Sequence, residues 1–433
     1  MNNLQALRTR VKACRVCGSN ELEIVLDLGD MAFAGWFPTP NAMAAVPWGP
    51  LTVLKCAACS LVQLAHDFSA PMLYGANYGY RSGLNAGMVA HLRDVAERAK
   101  ALRNVSTGDV VVDIGGNDGT LLGNFPAAVT RINIDPTLCK FAAHNAPGII
   151  QVPEFFSREA LMRASNNKAA TLIFSISMFY DLPKPVEFAQ QVAACLAPEG
   201  LWVIEVASLA LQVVNNAFDV FCHEHTEYYS LETLLGTMHR AGLRPVELAF
   251  NETNGGSMRV TFCHVNAAWP GGLDLAEEFA LERAGAKLTE KATWSAFAER
   301  ITQICAFSKV TLQELKARGR SVAGIGASTK GNVLLQAAGI GPDLLPCIGE
   351  VNAEKFGKVT PGTGIPIASE AEVLAAKPDV LFILPWHFRN GMIARFEEYL
   401  KAGGLLFLPL PVPQWVVWTG DTAQSTTTEP VLN

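Results

Sequence analysis

Three stretches of this chain carry residue types that do chemistry at spacings that matter. The first is Phe221-Cys222-His223-Glu224-His225. Alternate residues of an extended turn project to one side, so His223 and His225 are expected to share a face with Glu224 beside them. A carboxylate next to an imidazole raises its basicity and selects its tautomer, the pairing a general base needs. A His-x-His pair can also ligate a metal, but no third ligand stands at a useful spacing. The His-Glu-x-x-His pattern fails because Glu227 occupies the place of its second histidine. The second stretch is a double one: Cys14 with Cys17, and Cys56 with Cys59, separated by thirty-eight residues. Each Cys-x-x-Cys turn presents two thiolates to one tetrahedral ion, and four thiolates close its coordination sphere, so structural zinc is expected. A redox dithiol would need only one pair, at the start of a helix in a βαβ unit.

The third is VVVDIGGNDGT at 110–120, with Gly115, Gly116 and Gly119 behind Asp113. It reads as a buried strand, a glycine turn and a helix. Asp135 ends the next apolar run and is placed to accept hydrogen bonds from ribose hydroxyls. A dinucleotide fingerprint fails at Asn117 and Thr120. S-adenosylmethionine fits better: it has no pyrophosphate, and its sulfonium and amino groups favour an oxygen-rich turn, which Asn117 and Asp118 supply. Glu154 and Phe155 follow the third strand, where an adenine edge and face would be met.

The elements that position these residues are those of an α/β chain. Strands are expected at about 109–113, 130–134, 149–152, 171–176, 201–205, 245–250 and 258–264. The last two form an edge hairpin, and ligands sit beyond the carboxyl ends of the others. The 26–40 stretch reads as irregular loop with short strands. Between 70 and 105 lies an approach segment with Tyr74, Tyr78 and Tyr80 among glycines. It is followed by a helix from about 84 to 102 that buries Met88, Leu92, Val95, Ala96 and Ala99. After helices over 273–318 comes a second strand, glycine turn and helix at 322–332. Thr329 before Lys330 excludes a P-loop, yet Gly326, Ser328 and Lys330 read as an anion site. Strands near 345–349 and 379–384 follow, with Glu350, Asn352, Lys355 and Lys358 on loops between them. Trp386 is placed to pack or to stack on a base or sugar, His387 to be exposed or to bind, and the tail from Thr419 to be mobile. The domain division is 1–69, 70–265 and 266–433.

Composition sets the outer bounds. The chain has 433 residues, half of them hydrophobic and 17% charged, enough for sizeable cores. A net charge of −6 argues against nucleic acid as a partner. There is no membrane-length apolar run and no apolar core at the N-terminus, so a cytoplasmic location and reduced cysteines are expected. Cys139, Cys195, Cys263, Cys305 and Cys347 read as buried hydrophobes.

Eight blocks taken together resemble one family. They are the two Cys-x-x-Cys pairs, YGYRSGLN at 78–85, DIGGNDG at 113–119, SMFYDLP at 177–183, FDVFCHEH at 218–225, NGGSMRV at 254–260, GASTKGN at 326–332 and PGTGIPI at 361–367. The chain is similar, end to end, to the sugar C-methyltransferases of antibiotic and surface-polysaccharide pathways. The resemblance implies a small N-terminal zinc-binding domain, a central doubly wound Rossmann-like domain for S-adenosylmethionine, and a C-terminal α/β domain that helps hold a sugar nucleotide. It implies methylation of a nucleotide-linked (dTDP or GDP) 4-keto-6-deoxy sugar at C3, by a monomer or small homo-oligomer, with His225 as general base and Glu224 beside it. Around these, His223, Tyr180 and Asn254 are candidate catalytic groups. Tyr78, Ser82, Asp113, Gly115, Asn117, Asp118, Asp135, Glu154 and Phe155 are candidates for the methyl donor. Tyr80, Cys222, Lys330, Asn332, Lys358 and Trp386 are candidates for the substrate. Two positions depart from the family pattern: Cys222 stands where many relatives have tyrosine, and Asn254 where they often have histidine. O- or N-methylation of a sugar or small metabolite stays open on the residues alone, as does binding without methyl transfer.

Overall fold

The computed structural model describes residues 8–74, 78–270 and 273–429. Gly75, Ala76 and Asn77 of the tyrosine-glycine stretch lie outside the described residues.

The central sheet has seven strands in the spatial order Leu243–Asn251, Ser257–His264, Leu196–Ala207, Ala170–Ile176, Val110–Ile114, Thr130–Ile134, Ile149–Val152. The last five of these are mutually parallel, and the first two make the antiparallel edge hairpin. All five residues of Val110–Ile114 are buried. Val110, Val112 and Ile114 enter one core, while Val111 packs on the other face with the helix Ala86–Leu102. A strand covered on both faces must be apolar throughout, which is why this one reads as a β-branched run. Asn85 caps that helix by accepting from the backbone N–H of Gly87 and Met88, and the five residues expected inside are its buried face.

A second seven-stranded sheet runs Ile367–Ser369, Ile348–Glu350, Val322–Ile325, Val380–Ile383, Leu405–Leu408, Gln414–Thr419, Thr422–Thr426. The tail expected to be mobile instead supplies its edge: Thr422–Thr426 pairs antiparallel with Gln414–Thr419. Backbone pairing holds it although few of its side chains are apolar.

The N-terminal sheet is more regular than its Pro and Gly content suggested. Leu22–Ala32 and Trp48–Cys56 are long antiparallel strands whose register shifts between Asp27 and Asp30 absorb the glycine. Its fourth strand, Glu227–Tyr228, comes from the middle of the chain and pairs with Val62–Leu64. The small sheet also reaches the C-terminal unit. Asn332 donates from Nδ2 to the Ala34 carbonyl (2.7 Å), and Ala32 N–H donates to Gln336 Oε1 (2.8 Å). It therefore ties the two larger sheets together. Among the described residues no helix is long and apolar enough to cross a membrane.

Candidate active site

The stretch 222–225 is a tight turn, closed by the His225 N–H donating to the Cys222 carbonyl (3.2 Å). The expected sharing of one face therefore does not occur. His223 turns into the N-terminal sheet, fully buried, stacked on Phe33 (4.5 Å between centroids), with Nε2 at the Gly49 carbonyl (3.0 Å). Burial pushes its pKa down to about 4. It is a packing residue. Glu224 also faces away from the imidazole of His225: its Oε1 accepts from Gly35 N–H (3.1 Å), and burial raises its pKa. A methyl group at Gly35 would overlap that oxygen, so glycine is needed there for the two segments to meet.

The group that sets the tautomer of His225 is the Val220 carbonyl, 2.8 Å from Nδ1. With the proton held at Nδ1, Nε2 is left as a lone pair. His225 is not made more basic, as expected from Glu224. Burial first, and the nearby Lys330 charge second, push its pKa down to about 4. The ring lies edge-on to buried Tyr180 (4.5 Å), whose backbone carbonyl accepts from Thr226 N–H (2.8 Å) and so pins the loop. Lys330 enters from the C-terminal unit. It sits in the first turn of the helix Thr329–Ala338, capped by Ser328. Its Nζ donates to both the carbonyl (3.1 Å) and Oδ1 (3.0 Å) of Asn254, and Asn254 Nδ2 donates to Ser177 Oγ (3.2 Å). Asn254 and Ser177 both hold positive φ (60° and 57°), a strained backbone of the kind that collects at functional sites. His225, Asn254, Ser177 and Lys330 each keep some exposure, while Tyr180, Asp219, Val220, Cys222 and Trp386 around them are buried. Polar groups open to a cleft above a buried shell are what a substrate needs.

Other expected substrate contacts are used by the fold. Trp386 donates its indole N–H to Asp219 Oδ2 (2.8 Å) and packs on Gly255, so it is not free to stack. Asn332 is fully buried on Ala34. His387 is only partly exposed, and burial lowers its pKa further than the Lys330 charge does. Lys330 is absent from the expected anion turn, where Ser328 already occupies the Gly331 N–H (3.0 Å). Tyr80 is well exposed. Near it, half-buried Lys358 and Lys140 repel one another, and Lys140 pairs with Glu354 (2.6 Å).

At the glycine turn, Asp113 is buried with no hydrogen-bond partner for its carboxyl among the described residues, and burial, then Asp135 and Asp118, push its pKa up to about 8. An unpartnered carboxylate in such a place fits the cationic part of S-adenosylmethionine. Gly115 has φ +74°, and a side chain there would strike Met178. Asp135 accepts from Asn117 N–H (2.7 Å) and from Thr137 N–H and Oγ1 (both 2.6 Å). That leaves one of roughly four acceptor positions for a ribose hydroxyl. Asn117 and Asp118 do not face an open ligand pocket. Their side chains hold the approach segment, accepting from Ser82 N–H (3.0 Å) and Gly83 N–H (2.9 Å). Tyr78 joins that segment to Lys140 through its carbonyl (3.0 Å). Glu154 pairs with Arg163, and Phe155 is exposed past Ile149–Val152.

The four N-terminal cysteines converge. Their sulfurs lie within 4.8 Å of one another, with Cys14 to Cys59 at 3.4 Å and Cys17 to Cys56 at 3.5 Å. Ideal tetrahedral zinc–sulfur geometry requires sulfur separations of about 3.8 Å, so the cluster fits zinc. Of the other cysteines expected inside, Cys139 is exposed and Cys347 half-buried.

Two supports escaped notice in the sequence. Arg15, between the first two cysteines, reaches Glu227 (Nε to Oε1, 3.4 Å) and the Thr226 carbonyl (3.3 Å) just past His225. Glu205 is a fully buried acid that receives His91 Nε2 (2.6 Å) and Asn251 Nδ2 (3.0 Å), steadying the turn that carries Asn254. An acid inside the apolar run 201–206 was the available signal for the second.

Comparison with known proteins agrees with this layout. A zinc binding domain matches residues 14–74, a methyltransferase domain 88–248, and a C-methyltransferase C-terminal domain 252–411. The C-methyltransferase NovU of Streptomyces niveus is 30% identical over 414 residues, 95% of this chain and 98% of that one. The chain belongs to the C-methyltransferase family. It is an S-adenosylmethionine-dependent enzyme with a zinc-binding N-terminal domain. Solved structures match smaller parts. A methyltransferase from Clostridium acetobutylicum is 12% identical over 41% of this C-methyltransferase and 92% of its own chain, with a TM-score of 0.31. The CcbJ methyltransferase of Streptomyces caelestis is 15% identical over 40% and 89%, with a TM-score of 0.32.

Proposed function

We propose that this C-methyltransferase acts on a nucleotide-linked 4-keto-6-deoxy sugar and methylates C3 through an enolate formed by His225. The observation that carries the reading is the His225 ring: Nδ1 is engaged by a backbone carbonyl, and Nε2 is left as a base in a cleft with Tyr180, Asn254 and a lysine. A base can serve transfer to oxygen too, but the C-methyltransferase family match favours carbon; a proton on carbon must be α to a carbonyl to be acidic enough for such a base. Bound S-adenosylmethionine supplies the electrophilic methyl group. Asp113, Gly115, Asp135, Glu154 and Phe155 are the residues that would hold it. Tyr80 and Lys358 remain our substrate contacts, whereas Cys222, expected to be one, is fully buried and cannot touch the sugar; the lysines near Glu354 suit a diphosphate. We keep the division into 1–69, 70–265 and 266–433, with Glu227–Tyr228 lent to the first unit's sheet.

The test is incubation with S-adenosylmethionine and a panel of dTDP- and GDP-linked 4-keto-6-deoxy sugars, with and without a 2-hydroxyl, read by mass spectrometry. One member should gain the mass of a single CH2, placed at C3 by NMR. A gain on oxygen, or none across the panel, would refute the reading.

A further inference from the structure

The cation of the cleft is poorly placed to be a phosphate anchor. Lys330 leaves its own glycine turn and crosses to Asn254 on the central unit. The lysines that do cluster, Lys140, Lys355 and Lys358, are grouped around Glu354 and Glu350. An ammonium has three N–H bonds. Two of those of Lys330 are spent on Asn254, and among the described residues no third acceptor lies within hydrogen-bond distance. Asp219 lies beyond ion-pair distance and has its Oδ2 taken by Trp386. The cation is thus held firmly by neutral oxygens, deep in the cleft, with one donor unspent. Its charge is felt at His225 and at His387.

We propose that Lys330 is a catalytic residue, whose unspent N–H binds the ketone oxygen of the substrate and stabilises it as the enolate oxyanion. The inference rests on the ketone reading above. His225 Nε2 takes the α-proton; the C–H electron pair becomes the C–C double bond, and the carbonyl π pair moves onto oxygen at Lys330 Nζ. The double-bond pair then forms the carbon's new bond to the methyl group as the methyl–sulfur bond breaks, its pair staying on sulfur to leave S-adenosylhomocysteine; the pair on oxygen returns to remake the ketone, and His225 later yields its proton to water. The charge count explains the pairing. A lone cation beside His225 opposes its protonation, but an oxyanion forming at Lys330 cancels that opposition as the imidazolium forms. Base and oxyanion partner therefore come from different units and meet only in the cleft. The Ala34–Gly35 tie fixes their separation, because Gly35 holds Glu224 next to His225, and Ala34 holds Asn332 two residues past Lys330.

Lys330→Met tests this, with Lys330→Arg as a second variant that keeps the charge. The exchange of the substrate's C3 proton into D2O is followed by NMR with S-adenosylhomocysteine bound, using the nucleotide sugar that the wild type methylates. Calorimetry gives the Kd of that sugar, and NMR gives the titration of the His225 ring. Lys330→Met should slow exchange at saturation by about 10²–10³-fold, the usual cost of one oxyanion donor. It should leave the sugar Kd nearly unchanged and raise the His225 pKa, while Lys330→Arg should recover part of the rate. Exchange at the wild-type rate would overturn the proposal, as would a loss cured by saturating sugar, which marks a phosphate anchor. A slow variant with an unmoved His225 titration would also count against it. If the wild type exchanges no ketone at all, the ketone reading fails first and takes the proposal with it.

Discussion

At the scale of residues, burial rather than pairing sets the chemistry. His225 is pushed down to about 4 and Lys330, mainly by burial and against the pull of Asp219, down to about 8. The base works unprotonated and the lysine protonated. Exchange of the α-proton at sub-saturating sugar, which reports the free protein, should therefore be flat between about pH 4 and 8, fall below as His225 gains a proton, and fall above as Lys330 loses one. An acid limb near the ordinary histidine value of about 6.5 would show that the free His225 is not so depressed. Asp113 gives a second expectation. Its folded pKa, about 8, lies above the unfolded 3.8, so the folded state holds a proton that the unfolded state releases. Stability from this group is complete below the unfolded value and declines as pH rises through that window. A cationic ligand reverses the preference. Binding of S-adenosylmethionine at pH 7 should release close to one proton, measured by calorimetry in buffers of different ionisation enthalpy, and Asp113→Asn should abolish the release. The sequence offered His225, Asp113 and Tyr180, and our proposal keeps them. The sequence also placed His223 and Asn332 at ligands and left Trp386 open between packing and stacking, because whether such a side chain meets a ligand or the protein is decided by a distant segment: the Gly49 carbonyl, the Ala34 carbonyl and the Asp219 carboxylate in these cases.

At the scale of elements, the strands of the central sheet were legible because they are apolar runs set off by turn residues, with Val110–Ile114 ended by Gly115 and Thr130–Ile134 by Asp135. The edge hairpin was legible because its turn, Asn251 to Gly256, has no room for a helix. The 222–225 turn was not legible, since the same four residues suit an extended segment equally well. Thr422–Thr426 was missed because an edge strand needs backbone pairing more than apolar side chains. The loan of Glu227–Tyr228 to the N-terminal sheet is the element-level feature with the clearest consequence. Cys56 ends the strand that pairs with Val62–Leu64, and Leu64 N–H donates to the Thr226 carbonyl (2.9 Å), so the zinc cluster is two hydrogen-bonded strands from His225. Chelation of zinc should loosen residues 223–228 before it loosens Val110–Ile114. Hydrogen exchange by mass spectrometry checks the order; equal loss of protection in both would mean that the metal supports the whole fold and not this loop.

At the scale of the whole molecule, two glycine-turn sheets face a common cleft, and a small sheet with a zinc-binding cysteine cluster fastens them. The block order in the sequence conveyed the three-part plan. It could not convey that the C-terminal unit sends its lysine to the base and not to its own turn, because no local pattern encodes a contact between Lys330 and Asn254, 76 residues apart. The central claim is that carbon is activated by proton removal at His225, and its most direct measurement is C3 proton exchange into D2O with S-adenosylhomocysteine bound. Wild-type protein should exchange that proton without methyl transfer. His225→Ala should lose the exchange by about 10²–10⁴-fold, the range for one general base, while binding S-adenosylmethionine as before. Exchange that persists in His225→Ala at the wild-type rate would contradict the account.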